Sequence, residues 1–196
     1  MADFKTAYSK TAIVEGGYAN DPDDRGGETY KGLARKMEPG WEGWLTIDVI
    51  KKHVGAKPDA INRAAEADQS LQLMVYSAYK RSYWNAMNLD LVQDQRVADE
   101  LYDTGVNMGT GRAGLFFQRA LNCLNRNGYL FPDLKLDGVI GAKTIACFNS
   151  LNAAYKNIVW KLLNCQQGEK YINICEANPV QKKFMRSWAS RVFETL

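Results

Sequence analysis

A carboxylate followed at once by two glycines constrains the fold of this chain more than any other feature. Glu15 stands at the end of an apolar stretch with helical periodicity, and Gly16-Gly17-Tyr18 follows it directly. Because a glycine pair does not continue a helix cheaply, we predict that the first helix, residues 3–15, ends at Glu15. Its carboxylate then faces the turn that the glycines open, and Asp3 is the predicted N-cap at the other end.

The segment that follows is rich in turn-forming residues. Pro22 and a glycine pair mark tight turns, so residues 17–33 are predicted to double back as a small β-hairpin. Asp24 lies nine positions after Glu15, and Thr29 lies five positions after Asp24. The fold-back can therefore bring these three side chains to one cleft.

Two carboxylates and a hydroxyl at one cleft suit the hydrolysis of a glycosidic bond. One carboxylic acid donates a proton to the leaving oxygen, while the other stabilises the oxocarbenium-like transition state or activates water. Glu15 and Asp24 are the candidate carboxylates, whose division of roles the residues alone leave open, and Thr29 is a hydroxyl that can help to place the water. Asp21 and Asp23 are the alternatives to Asp24. The spacing alone also fits a plainer reading, in which Glu15 is an exposed helix end and the loop acids only form turns.

About a dozen positions of this stretch match a known signature in order. Residues 15–18 are followed by Asn-Asp-Pro-x-Asp-x-Gly-Gly-x-Thr-x-x-Gly, which ends at Gly32. This pattern resembles glycoside hydrolase family 108, which comprises bacterial and phage N-acetylmuramidases, some of them named secretion activator proteins. The resemblance implies a mainly α, lysozyme-like fold with a small β-hairpin after the first helix, and it assigns the catalytic acid to Glu15. The order Glu, Asp, Thr is also similar to that of phage-type lysozymes, although the interval from Asp to Thr is one residue shorter here.

Further residues of the predicted substrate cleft follow from the same resemblance. Tyr18 and Asn20 are expected to shape the cleft floor. Tyr83 and Trp84 are similar to a Tyr-Trp pair of the family, for which a place in the core is the alternative. Asn107 lies in an asparagine- and glycine-rich segment that the family places near the substrate groove, where it is a candidate to contact an N-acetyl group.

The texture of the sequence changes near residue 125. Residues 118–122 (Gln-Arg-Ala-Leu-Asn), combined with Asp-Gly-x-x-Gly-x-x-Thr over residues 137–144, are similar to three-helix peptidoglycan-binding modules. We therefore predict a lysozyme-like catalytic region over residues 1–110 and a helical, peptidoglycan-binding-like region over residues 111–196, closely packed on the first.

Local signals predict the main helices. Thr46 is the predicted N-cap of a helix over residues 47–54, and a long helical stretch from Pro58 is expected to break once near Asp68. Trp41 and Trp44 are candidates for the walls of a sugar subsite or for the core. The remaining helices are expected over residues 111–126, 152–176 and 180–194.

Composition argues against several other classes of function. The net charge of +3 on 196 residues is too small to indicate a nucleic-acid partner. The sole histidine, His53, lies beside two lysines on a polar face, which argues against a Ser-His-Asp hydrolase. No cysteine pair has zinc-site spacing, so we predict no metal and no cofactor. The four cysteines fall in apolar helical stretches and are expected to be reduced, with a bridge between two late helices as the alternative; they are Cys123, Cys147, Cys165 and Cys175.

The predicted function is that of a peptidoglycan hydrolase, an N-acetylmuramidase of the endolysin type. The first residues lack the apolar segment of a secretory signal peptide, and no apolar run reaches membrane-spanning length. We expect a monomer made in the cytoplasm that reaches the cell wall through a holin, a dedicated secretion system or lysis. The alternatives are a non-catalytic cell-wall-binding accessory of secretion with a lysozyme-like cleft, and a hydrolase of another amino-sugar polymer such as chitosan.

Overall fold

The computed structural model of the protein describes residues 1–11, 16–20 and 27–193. The chain forms two compact units. Residues 8–82 make up the first, called the sheet unit here, and residues 1–7 with 83–196 make up the second, called the helical unit. The predicted division of functional regions near residue 110 stays a prediction.

The sheet unit carries a three-stranded antiparallel sheet. Its strands are β1 (Tyr18–Asn20), β2 (Glu28–Tyr30) and β3 (Leu33–Ala34), hydrogen-bonded in that order. The predicted small hairpin after the first helix is therefore confirmed, and a short third strand extends it. The first helix, α1, is described over Phe4–Thr11, and Asp3 caps it as predicted, because its Oδ1 accepts the Thr6 N–H at 2.9 Å.

A two-residue turn joins β2 to β3 and explains the last glycine of the signature. Tyr30 pairs with Leu33, so only Lys31 and Gly32 lie in the loop. Both have positive φ, 44° and 76°, as a type I′ turn requires, and glycine adopts this conformation without steric cost. The Tyr79 hydroxyl donates to the carbonyl of Lys31 at 2.8 Å and fixes the turn from a neighbouring helix.

Three helices pack beside the sheet: α2 (Gly43–Val54), α3 (Pro58–Ala67) and α4 (Gln69–Tyr79). The break at Asp68 is confirmed, since its Oδ1 accepts the Leu71 N–H at 2.9 Å and caps α4. The prediction of Thr46 as the N-cap of α2 is wrong. The helix begins earlier because the buried Trp44 is anchored in its first turn, where its Nε1 donates to the carbonyl of Glu38 at 2.9 Å.

The helical unit holds the remaining α-helices of the described chain. Short π and 3₁₀ turns at residues 80–84, 85–87 and 89–91 precede them in the chain. A further 3₁₀ turn at residues 179–184, opened by Pro179, separates the last two, where the predicted tail helices separate. The five helices are α5 (Gln95–Met108), α6 (Thr110–Leu124), α7 (Ala142–Asn149), α8 (Ala153–Ala177) and α9 (Met185–Phe193).

The loop between α6 and α7 contains the predicted Asp-Gly turn. Gly138 has φ 75°, and Asp137 Oδ1 accepts the Val139 N–H at 3.0 Å. Gln118 of α6 closes the turn, because its amide accepts from the Gly138 N–H at 2.9 Å and donates to Asp137 Oδ1 at 2.8 Å. The resemblance in residues 118–144 therefore has a physical basis, in which a buried glutamine replaces missing backbone partners.

Aromatic rings form the core of the helical unit. Trp84 and Tyr102 lie 6.0 Å apart between ring centroids, and each lies 5.5 Å from Phe4. All four cysteines are free thiols, and Cys123 and Cys165 are exposed rather than apolar core residues. Among the described helices, none combines the length and the apolar character that crossing a membrane requires.

Candidate active-site region

In the chain, β1 follows Glu15 and precedes the other predicted carboxylates, and β2 comes after them. Glu15, Asp21, Asp23 and Asp24 lie outside the described residues. Their assignments stay predictions. The described part of the candidate active-site region consists of Gly16–Asn20 and the residues from Gly27 onward.

The sheet separates the predicted site residues into two faces. Residues that lie opposite each other in antiparallel strands point to the same face, and neighbours along a strand point to opposite faces. Thr29 pairs with Ala19 on one side and with Ala34 on the other, whereas Tyr18 pairs with Tyr30. Thr29 therefore lies on the face opposite Tyr18, and the sheet does not bring these two side chains together. The Thr29 side chain is half-buried.

Tyr18 and Asn20 share the other face but differ in exposure. The Tyr18 ring is buried, and its hydroxyl donates to Glu28 Oε1 at 2.8 Å. Asn20 lies opposite Glu28 and is exposed. Of the two residues predicted to shape the cleft floor, Asn20 is thus the one whose side chain is open to a ligand.

A charged network fixes Glu28 next to Thr29. Glu28 Oε1 lies 2.7 Å from Lys51 Nζ, and its Oε2 lies 2.7 Å from Arg35 Nε. Arg35 in turn forms a two-pronged pair with Asp48, with distances of 3.0 and 2.7 Å. The Arg35 guanidinium, paired with Glu28 and with Asp48, links β2 to the middle of α2.

This pairing determines the charge state of Glu28. Burial alone would raise the pKa of the carboxyl, but hydrogen bonds from Lys51 and Tyr18 and the charge of Arg35 outweigh it, so the pKa lies below its ordinary value. Burial, together with the nearby carboxylate, raises the pKa of Tyr18. Glu28 is therefore ionised at neutral pH and has no proton to donate, which excludes it as the general acid.

The second glycine of the Glu-Gly-Gly-Tyr motif lies against a side chain of α3. The Tyr18 N–H donates to Asn62 Oδ1 at 2.5 Å, and a Cβ at Gly17 would overlap the same Asn62 amide. A Cβ at Gly16 would meet open space. Only Gly17 is therefore required by packing, because it lets the strand approach α3.

The other predicted substrate-binding residues belong to the helical unit. Trp84 is fully buried and donates from Nε1 to Asp90 at 2.7 Å, which is the core placement named as the alternative. Tyr83 is half-buried, with its ring 6.5 Å from that of Tyr102. Asn107 is exposed, but its amide accepts from Arg191 at 3.0 Å and donates to the carbonyl of Asp103 at 2.8 Å. Their contact with substrate stays a prediction.

The two tryptophans near α2 are core residues. Trp41 and Trp44 are buried, and their rings meet edge to face at 5.0 Å. A cavity of 710 Å³ opens beside them in the sheet unit, between the loop at residues 38–42 and α4. Trp41 lines this cavity, and its rim carries the ion pair between Glu38 and Arg81 at 3.5 Å.

Sequence reasoning missed one unusual carboxyl group, that of Glu100 on α5. Its side chain is buried, and it accepts from Thr104 Oγ1 at 3.4 Å and lies beside Asp103. Burial above all, and then the charge of Asp103, raises the pKa of Glu100 to about 8. The signal was present in the sequence, because Glu100 falls on the apolar stripe that runs from Val97 through Leu101 to Thr104.

Across the three described ranges, no group of histidine, cysteine, aspartate and glutamate side chains is arranged to hold a metal ion.

Comparisons with known proteins cover the full length of the chain. The family model described as glycosyl hydrolase 108 matches residues 8–109, and the one described as a predicted peptidoglycan domain matches residues 112–193. A solved structure titled "Structure of Brucella abortus SagA" is 21% identical, with a TM-score of 0.56 over 98% of this chain and 90% of that chain. This likeness confirms the predicted fold class, mainly α and lysozyme-like. No curated protein matches the chain.

Proposed function

We propose that this chain is an N-acetylmuramidase that cleaves the glycan strand of peptidoglycan. The proposal starts from the family, because the chain belongs to the glycosyl hydrolase 108 family. The two family matches together indicate a peptidoglycan-related glycosyl hydrolase family. The observation that carries the proposal of N-acetylmuramidase activity is the Glu-Gly-Gly-Tyr motif at residues 15–18. This motif lies inside the hydrolase match and ahead of the peptidoglycan match.

The proposed reaction requires one protonated and one ionised carboxyl group. Glu15 donates its proton to the glycosidic oxygen as the bond from that oxygen to the anomeric carbon breaks, and a water molecule completes the hydrolysis at that carbon. Asp24 stabilises the positive charge or activates the water, with Asp21 and Asp23 as its alternatives, and Thr29 helps to place the water.

The described residues support this division of roles because they eliminate one other carboxyl group, that of Glu28, as the proton donor. Glu28, the carboxylate next to Thr29, is held ionised by Lys51 and Arg35 and cannot supply the proton. Its pairing also anchors β2, the strand that carries Thr29. Strands fixed in this way are suited to hold catalytic groups in one geometry, which is a large part of enzymatic rate enhancement.

We also propose that the enzyme acts on the cell wall in the periplasm, because its proposed substrate lies there. We propose that it acts there as a monomer. A holin, a dedicated secretion system or lysis would give it access. Fractionation of producing cells, with and without the candidate holin, tests this part separately from catalysis.

The direct test is release of reducing ends from purified sacculi. The variant Glu15→Gln keeps the shape of the side chain but has no proton to donate, so we expect the rate to fall by about 10²–10⁴-fold. The matched control is Glu66→Gln, an exposed glutamate on α3, which should retain the wild-type rate. Circular dichroism establishes that both variants are folded.

Three results would contradict the proposal. A wild-type rate in Glu15→Gln would remove Glu15 from the reaction. Sacculus binding without any release by the wild type would favour the non-catalytic accessory protein. Faster turnover on chitosan than on peptidoglycan would instead favour the alternative amino-sugar hydrolase.

A further inference from the structure

A short loop after α6 carries an unusual run of left-handed backbone. Arg126, Asn127 and Gly128 have φ values of 56°, 55° and 84° in succession. Residues other than glycine in this region cost roughly 1–2 kcal/mol each, and such conformations persist only where the surroundings enforce them. Strain of this kind is concentrated at ligand-binding and catalytic sites.

A buried amide enforces this conformation. Asn125 is 4% exposed, and its Oδ1 accepts the Gly128 N–H at 3.2 Å while its Nδ2 donates to Asp133 Oδ1 at 2.6 Å. Its backbone carbonyl also accepts the Leu130 N–H at 3.0 Å. The Asn125 side chain thus fixes the last residue of the left-handed run and links it to Asp133.

The fixed loop borders a polar cavity of 530 Å³. The lining consists of amides, one carboxylate, one thiol and one glycine, and comprises Asn122, Cys123, Asn125, Asn127, Gly128 and Asp133. Asn127 and Asp133 are exposed, so both can contribute polar atoms to a ligand. Amide and carboxylate groups can together donate to and accept from hydroxyl groups and secondary amides.

An exposed aromatic ring follows directly after the cavity residues. Tyr129 is 79% exposed, and the guanidinium of Arg126 lies 5.3 Å from its ring centroid. An aromatic ring offers a flat apolar face together with a polar tip, a combination that suits the alternating C–H and O–H surface of a sugar ring. Single exposed apolar side chains are common on protein surfaces, so it is the place of this ring in the chain, next to the cavity residue Gly128, that makes it a candidate ligand contact.

We propose that this cavity and the neighbouring Tyr129 ring bind an N-acetylated amino sugar of the uncut glycan strand. The proposal rests on the proposed function for the identity of the polymer, and the loop lies within the range matched by the peptidoglycan family model. The sugar hydroxyls and the N-acetyl amide pair with Asn127 and Asp133, and the ring face packs on Tyr129. Attachment here holds the enzyme on a long strand, so it raises the effective concentration of cleavable bonds without taking part in cleavage.

The test uses the full chain with Glu15→Gln, so that the ligand is not consumed. Tyr129→Ala removes the ring, and Asn127→Gly removes the amide while keeping a residue that tolerates positive φ. The matched control is Val180→Ala, which alters another exposed side chain of the helical unit, 66% exposed in the 3₁₀ turn at residues 179–184. The probes are purified sacculi and a soluble N-acetylglucosamine tetramer.

We expect Tyr129→Ala to weaken binding of both probes about tenfold, Asn127→Gly to weaken it about threefold, and the control to bind as the parent does. Titration with the tetramer should also shift the backbone amide resonances of residues 127–129. Parent-like binding by both variants would overturn the proposal. Weaker binding to sacculi without any binding of the tetramer would also contradict it, because the loop would then read the peptide stems.

The outcome is separable from that of the proposed function. In the catalytically intact chain, Tyr129→Ala should cleave short soluble glycan fragments at the wild-type rate while losing activity on sacculi. If the wild type cleaves nothing but Tyr129→Ala still loses tetramer binding, the hydrolase proposal fails and the binding site stands. If cleavage is confirmed and binding is unchanged, the reverse holds.

Discussion

The sheet unit and the helical unit each hold a glutamate that is largely shielded from water, and the two side chains are held in opposite states of ionisation. Glu28 receives hydrogen bonds from Lys51 and Tyr18 and lies against Arg35, which keeps its pKa below the ordinary value. Glu100 is surrounded by Thr104, Asn164 and the acidic side chain of Asp103, and its pKa rises to about 8.

The difference shows that burial does not decide the charge of a carboxyl group by itself. Desolvation favours the neutral acid in both places, and at Glu28 the hydrogen bonds from Lys51 and Tyr18 and the charge of Arg35 outweigh it. A general acid for glycoside hydrolysis needs surroundings like those of Glu100, with few opposing charges, rather than those of Glu28. The same requirement applies to Glu15 in the proposed mechanism.

The largest expected effect concerns the pH dependence of stability at Glu100. An unfolded chain loses this proton above its ordinary pKa of 4.5, while the folded chain keeps it up to about pH 8. Between these values the folded state binds more protons, so the free energy of unfolding falls on the order of 1 kcal/mol for each pH unit as the pH rises. Glu100→Gln should remove this slope, as urea denaturation at pH 5, 6.5 and 8 can establish.

The matched control for that prediction is Glu169→Gln, an exposed glutamate on α8. It should retain the wild-type slope. An unchanged slope in Glu100→Gln would show that Glu100 is ionised in the folded protein, and the contrast with Glu28 would disappear.

A smaller effect with the opposite pH dependence is expected at Glu28. Glu28→Gln leaves Lys51 and Arg35 without their shared carboxylate, so we expect a loss of about 2 kcal/mol, below the value for fully buried pairs because both cations are partly exposed. Since the folded pKa is lowered, this contribution is present above about pH 4.5 and disappears as the pH falls through the folded value. Chemical denaturation at pH 7 and pH 3, with Glu66→Gln as control, measures both parts. Equal losses at the two pH values would contradict the ionic account.

The smallest effect separates the two adjacent glycines of the motif. Gly17→Ala places a methyl group against the Asn62 amide that accepts from the Tyr18 N–H, so we expect a loss of about 1 kcal/mol together with lower activity. Gly16→Ala adds its methyl group in open space and should stay within about 0.5 kcal/mol of the wild type. Thermal unfolding of the pair decides the matter, and equal stabilities would show that Asn62 moves aside without penalty.

The sequence was most informative where short-range chemistry determines structure. Asp3 caps the first helix as predicted, the long helical stretch breaks at Asp68 as expected, and Pro58 and Pro179 mark the expected starts and breaks. Gly32 occupies a turn that requires positive φ. Each of these features depends on neighbours within a few positions along the chain, so a local pattern is sufficient to predict it.

It was least informative where distant residues decide the outcome. The start of α2 depends on packing of Trp44 and not on the cap preference of Thr46. Alternation along a strand is predictable from the sequence, but the register between β1 and β2 is not. That register is what places Tyr18 and Thr29 on opposite faces of the sheet. The pairing of Glu28 with Lys51 spans 23 positions and leaves no mark in the local sequence.

The measurement that tests the central claim most directly is mass spectrometry of the fragments released from purified sacculi by wild type and by Glu15→Gln. The account predicts fragments that end in reducing N-acetylmuramic acid from the wild type alone. Fragments that end in N-acetylglucosamine would contradict the muramidase assignment, and identical fragments from both proteins at equal yield would contradict the role of Glu15.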